Sequence, residues 1–193
     1  MNSYLYHRGH NRFMPGLVSG LCSVIPITHL GRAEALAYKA RVENDGGEII
    51  SLDDVYAALY DAIKNNYYTS IKAWYSSQFG VKKDNSTGAV SKIYDLSPNS
   101  NDAAQTTSNY QPIWTANQQN SKAGIVGGAS KFLSLSNLTL IRNIGSCSHV
   151  AVVKRSGPSP ANNGCIISAS TATDQNGRLL TISNNSTENF SIS

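Results

Sequence analysis

The sequence predicts a mostly β protein: layered antiparallel strands, a β-sandwich, preceded by an extended arm and a helical hairpin. Three observations carry this. Charged residues make up only 15% of the 193 residues, and Asn, Ser, Thr and Gly take their place as surface polar groups; that composition suits strands joined by polar loops better than a charged helical bundle. From residue 69 onward the apolar residues come in short runs separated by Gly, Pro and Asn, the pattern of strands and turns. Ahead of that part, residues 28–68 hold apolar residues at helical spacing. The chain divides accordingly into an arm (1–27), a helical hairpin (28–68) and a β-rich part (69–193).

The first 33 residues contain Arg8, Arg12 and Arg32, with His7, His10 and His29, and no acid. A basic arm suits nucleic acid, a membrane or an acidic protein surface. Tyr4, Leu5, Tyr6, Phe13 and Met14 are poor residues for a free tail, so a protein partner is expected, with neither nucleic acid nor membrane. Residues 17–27 imitate a signal peptide, but Gly16, Ser19, Gly20, Ser23 and Pro26 interrupt the run and no convincing cleavage site follows. In the hairpin, Ala33, Leu36, Ala37 and Ala40 are expected to form the buried face of a first helix, which Gly46 and Gly47 stop. Ser51 caps a second helix with Asp53 and Asp54 in its first turn. Leu52, Val55, Tyr56, Leu59 and Ile63 are its apolar stripe, and Asn65 and Asn66 end it. The hairpin is too small to stand alone and needs the sandwich, the arm or another subunit to pack on.

Further along, residues 71–75 and 89–94 read as strands, 84–88 as a turn, and 79–83 is ambiguous. Residues 112–114, 125–126 and 132–135 are short strand candidates, and 138–144 fits strand or short helix. Residues 148–155, a β-branched run, read as the strongest strand and suit a central position. Residues 165–168, 178–182 and 190–192 close the pattern. Cys22, Cys147 and Cys165 are an odd count without metal spacing. Cys147 and Cys165 fall in or beside strands; buried free thiols are favoured over a bridge.

The stretch Tyr94-Asp95-Leu96-Ser97-Pro98-Asn99-Ser100-Asn101-Asp102-Ala103-Ala104-Gln105 is dense in residues that fix turns. It suits a loop that leaves one strand, crosses an edge and enters the next. Together with Gln111-Pro112-Ile113 it resembles the opening strands of concanavalin A-like lectin (LamG-type) jelly-roll domains, in particular those of bacteriophage tail and other virion proteins. There it often follows a helical unit with the pattern seen here as Tyr38-x-x-Arg41-Val42-x-x-x-Gly46-Gly47. The resemblance covers residues 33–155. It implies a jelly-roll sandwich and a virion or glycan-binding setting. With about a hundred residues after Tyr94, the sandwich is either the front of a longer one or is completed by a neighbour.

The resemblance further implies a non-enzymatic bacteriophage structural protein in the virion: a tail, neck or baseplate fibre or adhesin-like protein, with capsid decoration or a head fibre as the alternative. Its partners would be other virion proteins, further copies of itself in a homo-oligomer, and a host surface glycan. Tyr4, Tyr6, Arg8, Arg12, Phe13 and Met14 would anchor it. Glycan contact would use Tyr110, Gln111, Trp114 and Asn117, aromatic faces with amide partners; packing inside the sandwich is the competing role for the two rings. No cofactor is expected. Calcium, which some relatives hold, would find oxygens on Asp95, Asn99, Asn101 and Asp102, although hydrogen bonding inside the turn explains them better. A carbohydrate-binding module or glycosidase is the remaining reading. A glycosidase needs two placed carboxylates, and after Ser91 only Asp95, Asp102, Asp174 and Glu188 are present. No phosphate loop and no Ser-His-acid motif is visible.

Overall fold

The computed structural model describes residues 29–128, 130–135, 137, 148, 150–154, 164–168, 179–182 and 190–192. Within them, helix α1 spans Arg32–Asn44 and α2 spans Leu52–Lys64. Each ends for a local reason. Gly46 takes φ +74; its N–H bonds the Glu43 carbonyl at 3.0 Å and that of Gly47 bonds the Val42 carbonyl at 2.9 Å. This pair is the Schellman closure, with glycine at the left-handed position. In α2 the Ser51 hydroxyl accepts from Asp54 N–H at 3.2 Å, capping an otherwise orphaned donor. Asn66 (φ 58) closes its far end, with Tyr67 N–H on the Ala62 carbonyl.

Strands β1 (Glu48–Ile49), β2 (Gly80–Lys83), β3 (Val90–Ile93), β4 (Ala103–Ala104) and β7 (Ser134–Leu135) form one antiparallel sheet in the order β1-β2-β3-β4-β7. Strands β5 (Ile113–Gln119) and β6 (Lys122–Val126) form an antiparallel ribbon, joined to the sheet by the Ala89–Ile113 bridge. Strands β8 (Gly164–Ser168), β9 (Leu179–Ile182) and β10 (Phe190–Ile192) make a third antiparallel sheet in the order β10-β9-β8. The described fold is thus mostly antiparallel sheet with two helices.

Neighbouring residues of a strand point to opposite faces, and the large sheet buries both. On one face Ala35, Tyr38 and Val42 of α1, with Val55 and Leu59 of α2, pack with Phe79, Tyr94 and Leu96. On the other, the cross-strand row Val81–Ile93–Ala103–Leu135 gathers Trp114 and Ile125 of the ribbon, with Tyr75 and Leu133. The hairpin therefore packs on the sheet, one of the supports expected for it.

Three expectations need correction. The face expected to be buried on α1, Ala33, Leu36, Ala37 and Ala40, is exposed, Leu36 at 46%. Two apolar stripes compete on this helix, and the one with Tyr38 and Val42 removes more apolar area from water. Residues 71–75 form no strand, because their backbone bonds the next loop instead: Trp74 N–H donates to the Asp95 carboxylate at 2.7 Å, and the Trp74 carbonyl accepts from Leu96 N–H at 2.9 Å. In the run 148–155 the described residues, 148 and 150–154, lie outside any strand. Val150 and Val152 are 91% and 93% exposed, so β-branching here found no pleated surface to pack on. The ambiguous stretch 79–83 supplies β2. Residues 84–88 form the expected turn, with Asp84 Oδ1 accepting from Ser86 and Thr87. The arm, Cys22, Cys147, His149 and residues 138–144 lie outside the described residues.

Candidate functional site

The loop from Tyr94 to Gln105 runs from β3 to β4 around one buried carboxylate. Asp95 Oδ1 accepts from the N–H groups of Trp74 (2.7 Å) and Ser97 (2.8 Å). Its Oδ2 accepts from Ser97 Oγ (2.6 Å) and Asn101 N–H (2.8 Å). Four donors fill the roughly four lone-pair positions of a carboxylate, and the residue is fully buried. Asn99 Nδ2 donates to the Ile71 and Lys72 carbonyls. Asn101 exchanges two bonds with the Asn137 backbone, Nδ2 to its carbonyl and Oδ1 from its N–H. Tyr75 hydroxyl donates to the Asn101 carbonyl.

Asp102 reaches the other way, to α1. Arg41 Nη1 donates to both its oxygens at 2.7 and 2.8 Å, and Arg41 Nη2 donates to the Asp95 carbonyl at 2.6 Å. Asp95 N–H completes the set on Asp102 at 2.9 Å. The Arg41 guanidinium also stands 5.4 Å from the Tyr38 ring and 5.7 Å from the Tyr94 ring. Tyr38 hydroxyl donates to the Tyr94 carbonyl (3.1 Å) and accepts from Gly80 N–H (2.9 Å), and burial pushes its pKa up. Tyr94 hydroxyl donates to Asp45 Oδ2 at 2.6 Å, where Lys92 Nζ also donates at 2.8 Å. Those two bonds, Lys92 first, hold the Asp45 carboxyl down at about 2. Burial, and then the bond to Asp45, pushes Tyr94 up. Gly47 leaves no room for a side chain without a shift of the ring: a Cβ there would lie 2.5 Å from Tyr94 Cε2.

The two quoted motifs are therefore one physical object. Tyr38, Arg41, Val42, Gly46 and Gly47 are the helix half of a joint, and Tyr94, Asp95, Ser97, Asn99, Asn101 and Asp102 are the loop half. No family model matches the sequence, and no curated protein or solved structure is significantly similar to it. What the joint does follows from its chemistry alone. Its carboxylates face N–H and O–H donors, so a cation at Asp95 would have to displace four hydrogen bonds. Among the described residues no three His, Cys, Asp or Glu side chains converge as a metal site. Asp174 and Glu188 lie outside the described residues.

The four residues expected to touch a glycan differ in exposure and in partners. Tyr110 is exposed (44%) and stacks on Phe132 (50%), with ring centres 5.8 Å apart. Gln111 is buried and donates to the Gln105 carbonyl at 2.8 Å, bracing the loop end. Trp114 is half-buried, donates from its indole N–H to the Ser77 carbonyl at 3.0 Å and lies under Lys83 Nζ at 5.1 Å. Asn117 is exposed with φ 56 on the ribbon. Phe132 was not singled out as a contact residue from the sequence; it opens the short apolar run 132–135, directly after Gly127-Gly128-Ala129-Ser130-Lys131. The arm residues Tyr4, Tyr6, Arg8, Arg12, Phe13 and Met14 lie outside the described residues.

Proposed function

We propose that this is a non-enzymatic structural protein of a bacteriophage virion, fastened by its N-terminal arm and presenting a β-rich body for contact. The observation that carries this reading is the joint. The acids of the signature loop, which a glycosidase would need free, are engaged by Arg41 and by backbone donors, so the motifs bind the hairpin to the sheet. In this reading the strands complete a concanavalin A-like jelly-roll sandwich, within the chain or with a neighbour's strands. Tail, neck or baseplate placement leads, and capsid decoration is the alternative. The chain assembles as a symmetric homo-oligomer that covers its sheet edges.

Glycan contact, where it occurs, falls to the exposed Tyr110–Phe132 pair, since aromatic faces stack on sugar rings. The test is incorporation into particles of the intact chain against one lacking residues 1–26, with a glycan array and a reducing-sugar assay on the purified intact chain. The reading expects loss of incorporation and no sugar released. Normal assembly without the arm, or clear turnover of a glycan, overturns it.

A further inference from the structure

We infer that the outer face of α1 is the contact between two copies of this chain, packed antiparallel about a two-fold axis. This gives the homo-oligomer proposed above its interface, and rests on that part of the reading alone. Two apolar stripes run along α1. The stripe with Ala35, Tyr38 and Val42 is buried against α2 and the sheet. The other, Ala33, Leu36, Ala37 and Ala40, lies on the opposite side of the helix and is exposed, with Leu36 at 46%. A helix that is apolar on two faces has a second surface to bury. One large side chain among alanines supplies both the knob and the holes of a close helix pair.

The charges identify the occupant as a second copy. Glu34 and Arg41 stand at the helix ends that suit their sign. Arg32, the first residue, and Glu43, the last but one, stand at the ends that do not. Among the described residues Arg32 has no ion-pair partner, while Glu43 holds Lys39 in an exposed pair. About three turns separate Arg32 from Glu43, so the two share one flank of the stripe. In an antiparallel pair with Leu36 of each copy against Ala40 of the other, the axis passes at the level of residue 38. Arg32 then lies about 9 Å to one side of it and Glu43 about 7.5 Å to the other. The two-fold therefore sets Arg32 beside the partner's Glu43 at nearly the same level, and does so twice. A parallel pair would set like charge against like. One face of a 13-residue helix is smaller than the roughly 800 Å² per partner of a standard interface, so the association is weak, with a Kd on the order of 100 μM.

The test is sedimentation of the intact chain from about 1 μM to 1 mM, a range that spans such a dimer. Association is expected. Leu36→Arg, at an exposed position that the core does not use, should weaken it at least about tenfold and leave the circular dichroism unchanged. Arg32→Glu or Glu43→Arg alone should weaken it about tenfold, because each change puts like charges together at both ends of the pair. Either change also corrects the charge at its own helix end, so the helix stays folded and a lost dimer is not a lost fold. Arg32→Glu combined with Glu43→Arg restores opposite charges and should return to within about twofold of the parent. A chain that stays monomeric over the whole range, association that survives Leu36→Arg, or a double variant no better than the single ones overturns the inference. Incorporation into particles is a separate measurement and tests the virion reading whatever this one gives.

Discussion

Removing Arg41 is the sharpest test of the joint. Its guanidinium makes three hydrogen bonds, two to Asp102 and one to the Asp95 carbonyl, and faces two tyrosine rings. Hydrogen bonds to charged groups contribute about 1.5–3 kcal/mol, and a cation over a ring adds roughly 0.5–1 kcal/mol. The side chains of Arg41 and Asp102 are 31% and 19% exposed, so solvent screening places the loss for Arg41→Ala at about 2–3 kcal/mol, between the values for surface and fully buried pairs. Arg41→Lys keeps the charge but not two separate nitrogens, and should lose about half of that. Urea unfolding followed by the fluorescence of Trp74 and Trp114 measures both. A double-mutant cycle with Asp102→Ala should give a coupling of about 1–2 kcal/mol. Additive losses, or a loss below about 0.5 kcal/mol for Arg41→Ala, would refute the claim that this pair ties the helix to the loop.

Three further outcomes are expected. Gly47→Ala drives a methyl group into the Tyr94 ring, whose hydroxyl is tied to Asp45, and should cost about 1–3 kcal/mol in the same unfolding assay. Asp95→Asn turns an amide N–H₂ toward donors that all need an acceptor; it should cost about 1–3 kcal/mol and speed amide exchange at Ser97 and Asn101, read by NMR. Asp45, with its carboxyl lowered from 3.8 to about 2, stabilises the fold above its unfolded value, and that contribution is lost as pH falls through the folded one. The Tm difference between the parent and Asp45→Asn should therefore shrink from pH 4 to pH 2, with an amplitude of about 0–1 kcal/mol because the carboxylate is exposed and screened; a difference independent of pH contradicts the assignment.

The sequence was most legible where local chemistry decides. α2 could be read almost residue by residue, because Ser51, Asp53 and Asp54 mark its start and Val55, Leu59 and Ile63 share one face. Turn 84–88 and strands β8 to β10 were readable for the same reason. α1 was legible in extent but not in orientation, since Ala33, Leu36, Ala37 and Ala40 form as plausible a stripe as Ala35, Tyr38 and Val42, and only the sheet beneath decides between them. Residues 71–75 and 148–155 have strand composition, but a ladder needs a partner, and propensity does not supply one. In the loop the turn-fixing role of Asp95 and its neighbours was visible. The pairing of Asp102 with Arg41, 61 positions away, was not, because no local rule links them.

The placement of these contacts bears on how the proposed anchor would work. If the arm is fastened to a particle, load enters the fold at Gly31 and runs along α1. Near the far end of that helix, the tie is polar and two-sided. Arg41 holds the loop between β3 and β4, while Asp45 is reached by Lys92 and Tyr94 at the end of β3, and its carbonyl by Lys82 of β2 at 2.5 Å. An apolar contact alone slides, because dispersion and burial have no direction, whereas these hydrogen bonds fix the angle and register of the helix on the strands. A protein that only needed a stable core could have closed the same interface with aliphatic side chains, often at no loss of stability. Directional ties across an otherwise apolar interface are what a rigid link between an anchored segment and a contact surface requires.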